Sequence, residues 1–198
     1  MADPETVTLK DAVKRRGPYA VWDLLTEDEQ LEAAGALWEN AEADARAAIE
    51  MALAKELKFR PQSVGRLSTD RVAPRLARMA DTLPEMVLFQ FLFHLHMAHR
   101  RDLLARFLDA VGLPNKDGVL DLPEDAGPPE APAVDKAAAE LIEEDRHQAL
   151  VYLATLRVAD KEFWQAVDPT LAAHDEAGEP LQETSKSKKK AAKPAEEE

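Results

Sequence analysis

Apolar residues between positions 27 and 57 recur every three or four residues, as they do on the buried face of an amphipathic helix. Thr26 and Glu29 have the spacing of a capping box, in which each side chain hydrogen-bonds the backbone of the other residue. The pattern therefore predicts one long helix over about 27–57, with a stripe of small side chains that another helix can approach closely. The stripe consists of Leu31, Trp38, Ala41, Ala45, Ala48 and Ala52.

The segment between Thr82 and Gly112 predicts two consecutive helices. Thr82 and Glu85 have the spacing of a second capping box, and Val87 is the only β-branched residue in "MVLFQFLFHLHMA". The apolar residues of this stretch also alternate as in a strand, but these two signals favour a helix, buried because it is apolar on most faces. The apolar stripe changes phase near residue 100, which predicts a break within 99–102 before the second helix.

The C-terminal part of the chain changes character at residue 121. Four prolines and four acidic residues lie in 121–133, a composition typical of an extended linker. Residues 134–172 return to helical periodicity, and their apolar face favours docking on a main helical domain formed by residues 1–120. Residues 175–198 combine a lysine run with terminal glutamates and lack apolar periodicity, which predicts a disordered charged tail.

The composition supports the helical interpretation. Of 198 residues, 45% are hydrophobic and only 7 are glycine, so the chain can bury a core and has few residues that break helices. We therefore expect an all-α fold, with five to seven helices in an irregular bundle or a short right-handed stack.

The charge and the residue types narrow the function classes. A net charge of −13 opposes any general attraction to nucleic acid or anionic lipid. The absence of cysteine excludes disulfides, thiolate metal ligands and cysteine nucleophiles. No apolar run has the length of a signal-peptide core or a transmembrane helix, so we expect a cytoplasmic protein that does not associate with membranes.

Three of the five histidines lie close together and raise the question of a metal site. His96, His99 and Asp102 are spaced by three residues and would share one face of a continuous helix, whereas His94 would lie about 160° away from His96. The predicted break at 99–102 would displace Asp102, and the sequence does not fix a further ligand. We therefore expect no metal cofactor.

Residues 113–124, "LPNKDGVLDLPE", match part of the calcium-loop pattern of EF-hands. Leu113 occupies the position of the first carboxylate ligand, and Pro123 stands where the exiting helix should begin. Without those two features the segment predicts an Asp117-Gly118 turn after the end of a helix.

A basic segment stands out against the acidic composition. Arg71, Arg75 and Arg78 lie at helical spacing, and we group them with Arg66 as the arginine face. Three interpretations are open: internal pairing with the acidic helix over 27–56, binding of an acidic protein partner, or contact with phosphates of a nucleic acid. No aromatic residue is interleaved for base stacking, which weakens the nucleic-acid interpretation.

Motifs of common enzymes are absent from the sequence. It contains no phosphate-binding glycine loop, nucleophile elbow, HExxH motif or zinc-finger spacing. We therefore favour a non-catalytic helical interaction or regulatory module that acts in a protein complex. The alternatives are a metal-dependent enzyme using His96, His99 and Asp102, and a nucleic-acid-associated protein using Arg71, Arg75 and Arg78.

Overall fold

Residues 6–123 and 126–180 are described by a computed structural model. The described residues contain ten α-helices and one two-stranded hairpin, so the chain is mainly helical, as predicted, but has more helices than the five to seven expected. The helices are α1 (Leu9–Arg16), α2 (Pro18–Leu24), α3 (Glu27–Asn40), α4 (Ala43–Leu57), α5 (Pro61–Val64), α6 (Thr69–Met79), α7 (Glu85–His99), α8 (Arg101–Ala110), α9 (Ala131–Ala159) and α10 (Asp168–Ala172). The hairpin strands are β1 (Asn115–Lys116) and β2 (Val119–Leu120).

The helix predicted over 27–57 is two helices, and this prediction was wrong. It begins at the expected capping box of Thr26 and Glu29, but Ala41 and Glu42 are extended and separate α3 from α4. Arg46 accounts for the break, because its guanidinium lies over the Trp38 ring and donates a hydrogen bond to the Trp38 carbonyl. A side chain from α4 thus takes over a carbonyl that a continuous helix would pair with a backbone N–H.

The central helix α7 is buried, as its apolar composition predicts, and Phe91 and Leu95 have no exposed surface. The expected capping box at its start does not form, because Thr82 belongs to a 3₁₀ turn and its hydroxyl donates to the Met79 carbonyl. The predicted break is confirmed at Arg100, whose φ of −135° and ψ of 24° end α7 and begin α8.

The long helix α9 shares one hydrophobic core with the helices that precede the proline-rich segment. It begins at Ala131 and bends at Asp145, where φ is −150° and ψ is 96°. The Phe107 ring of α8 meets the Tyr152 ring of α9 edge to face at 5.4 Å, and the Trp22 ring of α2 meets the Phe91 ring at 5.2 Å. These contacts join the N-terminal helices, α7, α8 and α9 in a single packed unit.

Residues 175–180, which the sequence assigned to the tail, form a turn against the start of the chain. The Glu176 N–H donates to the Val7 carbonyl at 3.0 Å, and the Leu9 N–H donates to the His174 carbonyl at 2.8 Å. The rest of the expected tail, residues 181–198, lies outside the described residues. Within the described ranges, no helix combines the length and apolarity needed to cross a bilayer.

Candidate interaction surface

Helix α6 places three of the four arginines of the arginine face as the sequence predicts. Val72 and Leu76 are fully buried on its inner side, which fixes the rotation of the helix. Arg71 and Arg78 are exposed and Arg75 is half-buried, so their side chains lie on the outer side. Arg66 is exposed in the loop before the helix. The 3.6-residue period thus separates the arginines from the core residues.

A groove of about 420 Å³ runs beside these arginines. Helix α4 ends at Leu57, and the chain then turns at Lys58, which has a positive φ of 54°. This turn brings Phe59 to the groove, where 53% of its surface is exposed. The groove therefore has apolar walls and a basic side. It is lined by Leu57, Phe59, Leu67, Arg71, Pro74, Arg75 and Arg78.

The arginine face has no acidic partner within 6–123 and 126–180, since none of its four guanidinium groups forms an ion pair there. Arg78 instead donates to the Pro74 carbonyl at 3.0 Å. Two acidic residues of α3 and α4 have other partners: Glu39 accepts from the Thr69 hydroxyl, and Glu50 pairs with Arg46. The geometry thus gives no support to internal pairing with the helix over 27–56.

The residues proposed for a metal site lie in different surroundings. His96 is buried in the core and hydrogen-bonds Thr155 of α9 at 3.0 Å, whereas His99 is exposed at the end of α7. Asp102 lies beyond the break at Arg100, in the first turn of α8. In the part of the chain that is described, no group of three or more histidine, aspartate or glutamate side chains is placed to hold a metal ion.

The segment that resembles a calcium loop forms a tight hairpin. Asp117 and Gly118 have φ values of 53° and 80°, which are typical of a two-residue turn that reverses antiparallel strands. The Asn115 carboxamide oxygen accepts from the Gly118 N–H at 3.2 Å. The prediction of an Asp-Gly turn is therefore confirmed.

A partly buried ionic cluster was not predicted from the sequence. Glu29 pairs with Arg100 at the break between α7 and α8, and it also accepts from His147 of α9 at 2.7 Å. Burial alone would raise the pKa of Glu29, but the His147 and Thr26 hydrogen bonds and the Arg100 charge together lower it. The spacing of Thr26 and Glu29 revealed the cap, but the two partners are 71 and 118 residues away from Glu29, beyond any local pattern.

Comparison of the chain with models of protein families, with curated protein sequences and with solved structures gave no match. The functional interpretation therefore depends on the geometry of these side chains.

Proposed function

We propose that the chain is a non-catalytic helical interaction module and binds an acidic segment of a protein partner through the arginine face. The observation that supports this is a row of arginines without acidic partners in the described residues, in a chain whose net charge is −13. In so acidic a protein a basic cluster has many possible internal partners, yet none of the four arginines forms an ion pair within 6–123 and 126–180.

The apolar wall of the groove favours a protein segment over a bare polyanion. Arginine forms bidentate hydrogen bonds with carboxylates, while Phe59 offers an exposed ring to an apolar side chain. Nucleic-acid binding has less support, because successive bases stack on several aromatic side chains and this segment lacks such a series. The ligand class expected is therefore a peptide in which acidic and apolar residues alternate.

Charge reversal at Arg75 and Arg78 tests the proposal. The double variant Arg75→Glu, Arg78→Glu should keep its fold, because exposed ion pairs contribute only about 0–1 kcal/mol each and none is present here. The matched control is Lys14→Glu, Arg15→Glu, which changes the net charge equally at two exposed positions of α1. The probe is a fluorescent synthetic peptide of alternating glutamate and leucine, with its binding followed by anisotropy in low salt.

We expect the Arg75 and Arg78 double variant to weaken peptide binding at least tenfold, and the α1 control to change it little. Phe59→Ser should also weaken binding while leaving the thermal unfolding temperature nearly unchanged. Three results would overturn the proposal: unfolding of the arginine double variant, equal loss of binding in the control, or tighter binding of a DNA duplex than of the peptide.

A further inference from the structure

A second cavity, distinct from the arginine face, lies where α7, α8, the hairpin and α9 meet. Its volume is about 370 Å³, within the range of small-molecule sites. Aliphatic and aromatic side chains form most of its walls, and none of its lining residues in the described ranges is acidic, lysine or arginine. Phe93 and Val119 lie at this cavity with 41% and 45% of their surface exposed.

The polar groups of this cavity come from α7 and α9. His96 and Thr155 both line it and are 3% and 6% exposed. The Thr155 hydroxyl donates its single hydrogen to the Val151 carbonyl at 2.7 Å, so it can only accept at its 3.0 Å contact with His96 Nε2. His96 therefore carries its proton on Nε2, and the lone pair of Nδ1 is an acceptor.

That acceptor has no hydrogen-bond partner among the described residues. An unpaired buried acceptor is unfavourable, because it loses its bond to water and gains nothing in return. The ring is also held in place, since Tyr152 packs against it edge to face at 5.3 Å. Nδ1 itself is covered, so a donor in the cavity reaches it only when the side chains over this atom move aside.

We propose that this cavity binds a small neutral molecule with an apolar body and one O–H or N–H group, which donates to His96 Nδ1. The apolar walls would take up the body of the ligand. A charged ligand would lose its hydration without meeting an opposite charge on the walls. The state of His96 agrees with this, because burial above all, with a contribution from the Arg100 charge, lowers its pKa to about 3, and the ring stays neutral.

Three related probes test the chemistry of the ligand: naphthol, its methyl ether and naphthoate. They share the ring system, but only naphthol offers a neutral hydrogen-bond donor and only naphthoate is charged. We expect naphthol to bind the full-length protein one to one by titration calorimetry. A hydrogen bond of ordinary strength makes it roughly two- to tenfold tighter than the ether, and naphthoate should be weakest.

Three variants, one of them a control, assign the binding to this cavity. The exposed Ala159 lines it, so Ala159→Phe should occupy the space without disturbing the core and should weaken naphthol binding at least tenfold. Ala139→Phe makes the same change at an exposed position earlier in α9 and should have no effect. His96→Phe keeps a ring but removes the lone pair, so it should abolish the preference for naphthol over the ether.

A readout on His96 itself keeps the test decisive if the His96 variant fails to fold. NMR correlations between the ring protons and ring nitrogens of His96 should show an unprotonated Nδ1. The nitrogen chemical shift of Nδ1 should change on addition of naphthol. The proposal is overturned if naphthol does not bind, if the ether binds equally well, or if Ala159→Phe and Ala139→Phe behave alike. It is also overturned if the protein is a dimer that Ala159→Phe dissociates, because a second copy would then cover this face.

Discussion

His96 links the stability of the protein to pH. Its pKa lies near 3 in the folded protein and near the ordinary value of 6.5 in the unfolded chain, mainly because burial disfavours the charged ring. Between these values the unfolded state binds a proton that the folded state excludes. Above pH 6.5 this residue therefore leaves the free energy of unfolding unchanged. As the pH falls from 6.5 toward 3, the residue lowers that free energy by about 1.4 kcal/mol per pH unit.

Replacing His96 with phenylalanine should make stability less dependent on pH in this window. The free energy of unfolding from urea titrations should fall with acidification less steeply in His96→Phe than in the wild type, by roughly 1 kcal/mol per pH unit. His99→Gln, a change at an exposed position of the same helix, serves as the control and should follow the wild-type slope. Parallel slopes for all three proteins would contradict the burial of an uncharged imidazole.

Gly118 is required by both its backbone conformation and its surroundings. Its φ is 80°, and an added Cβ would lie 2.7 Å from Leu104 Cβ and 3.0 Å from the Arg101 carbonyl oxygen of α8. Gly118→Ala should therefore destabilise the protein by roughly 2–4 kcal/mol, through left-handed strain and overpacking. Gly127→Ala is the matched control, because nothing lies within 4 Å of its added Cβ, and it should be nearly neutral in thermal unfolding.

Helix boundaries show which element-scale features a sequence can reveal. The capping box at Thr26, the break at Arg100 and the Asp117-Gly118 turn were predicted because each depends on residues within a few positions of one another. The break between α3 and α4 depends on Arg46 folding back over Trp38, eight residues earlier. The apolar stripe continues through Ala41 and hides this break, so periodicity alone predicted one helix.

Glu29 connects three elements. We expect its ion pair with Arg100 to contribute more to the free energy of unfolding than its hydrogen bond to the Thr26 backbone. Glu29→Gln can still bond the Thr26 backbone but leaves the guanidinium of Arg100, 5% exposed, without a counterion. We expect a loss of roughly 3–5 kcal/mol in chemical unfolding, as for other broken buried pairs. Glu144→Gln breaks the exposed pair with Arg106 and should cost at most about 1 kcal/mol. Similar losses for the two variants would show that the Glu29 cluster is open to solvent.

Long-range pairing limited what could be predicted of the candidate sites. The arginine face was predictable because Arg71, Arg75 and Arg78 share one helix, whereas the apolar wall that Phe59 adds depends on the turn at Lys58. The partner of His96 is 59 residues away. From sequence the histidines were interpreted either as metal ligands or as the polar end of a helix that leaves the core, since Thr155 carries no local signal that it meets the ring.

At the scale of the whole molecule, the shared core makes the chain one folding unit across its proline-rich segment. A protease recognition sequence inserted after Gly127 should allow cleavage without separation of the fragments, because α9 buries its apolar face against α7 and α8. The two fragments should elute together from gel filtration and separate only in denaturant. Separation in native buffer would mean that residues 134–172 form an independent element.

The hydrogen bonds of Val7 with Glu176 and of Leu9 with His174 place the two ends of the described chain side by side. We therefore expect the order of the helices along the polypeptide not to be essential to their packing. A circular permutant that joins residue 6 to residue 180 through a short glycine-serine linker, and starts instead at Gly127, should reach the same fold. Its new ends at Gly127 would then offer a second point at which the protein can be fused to a scaffold.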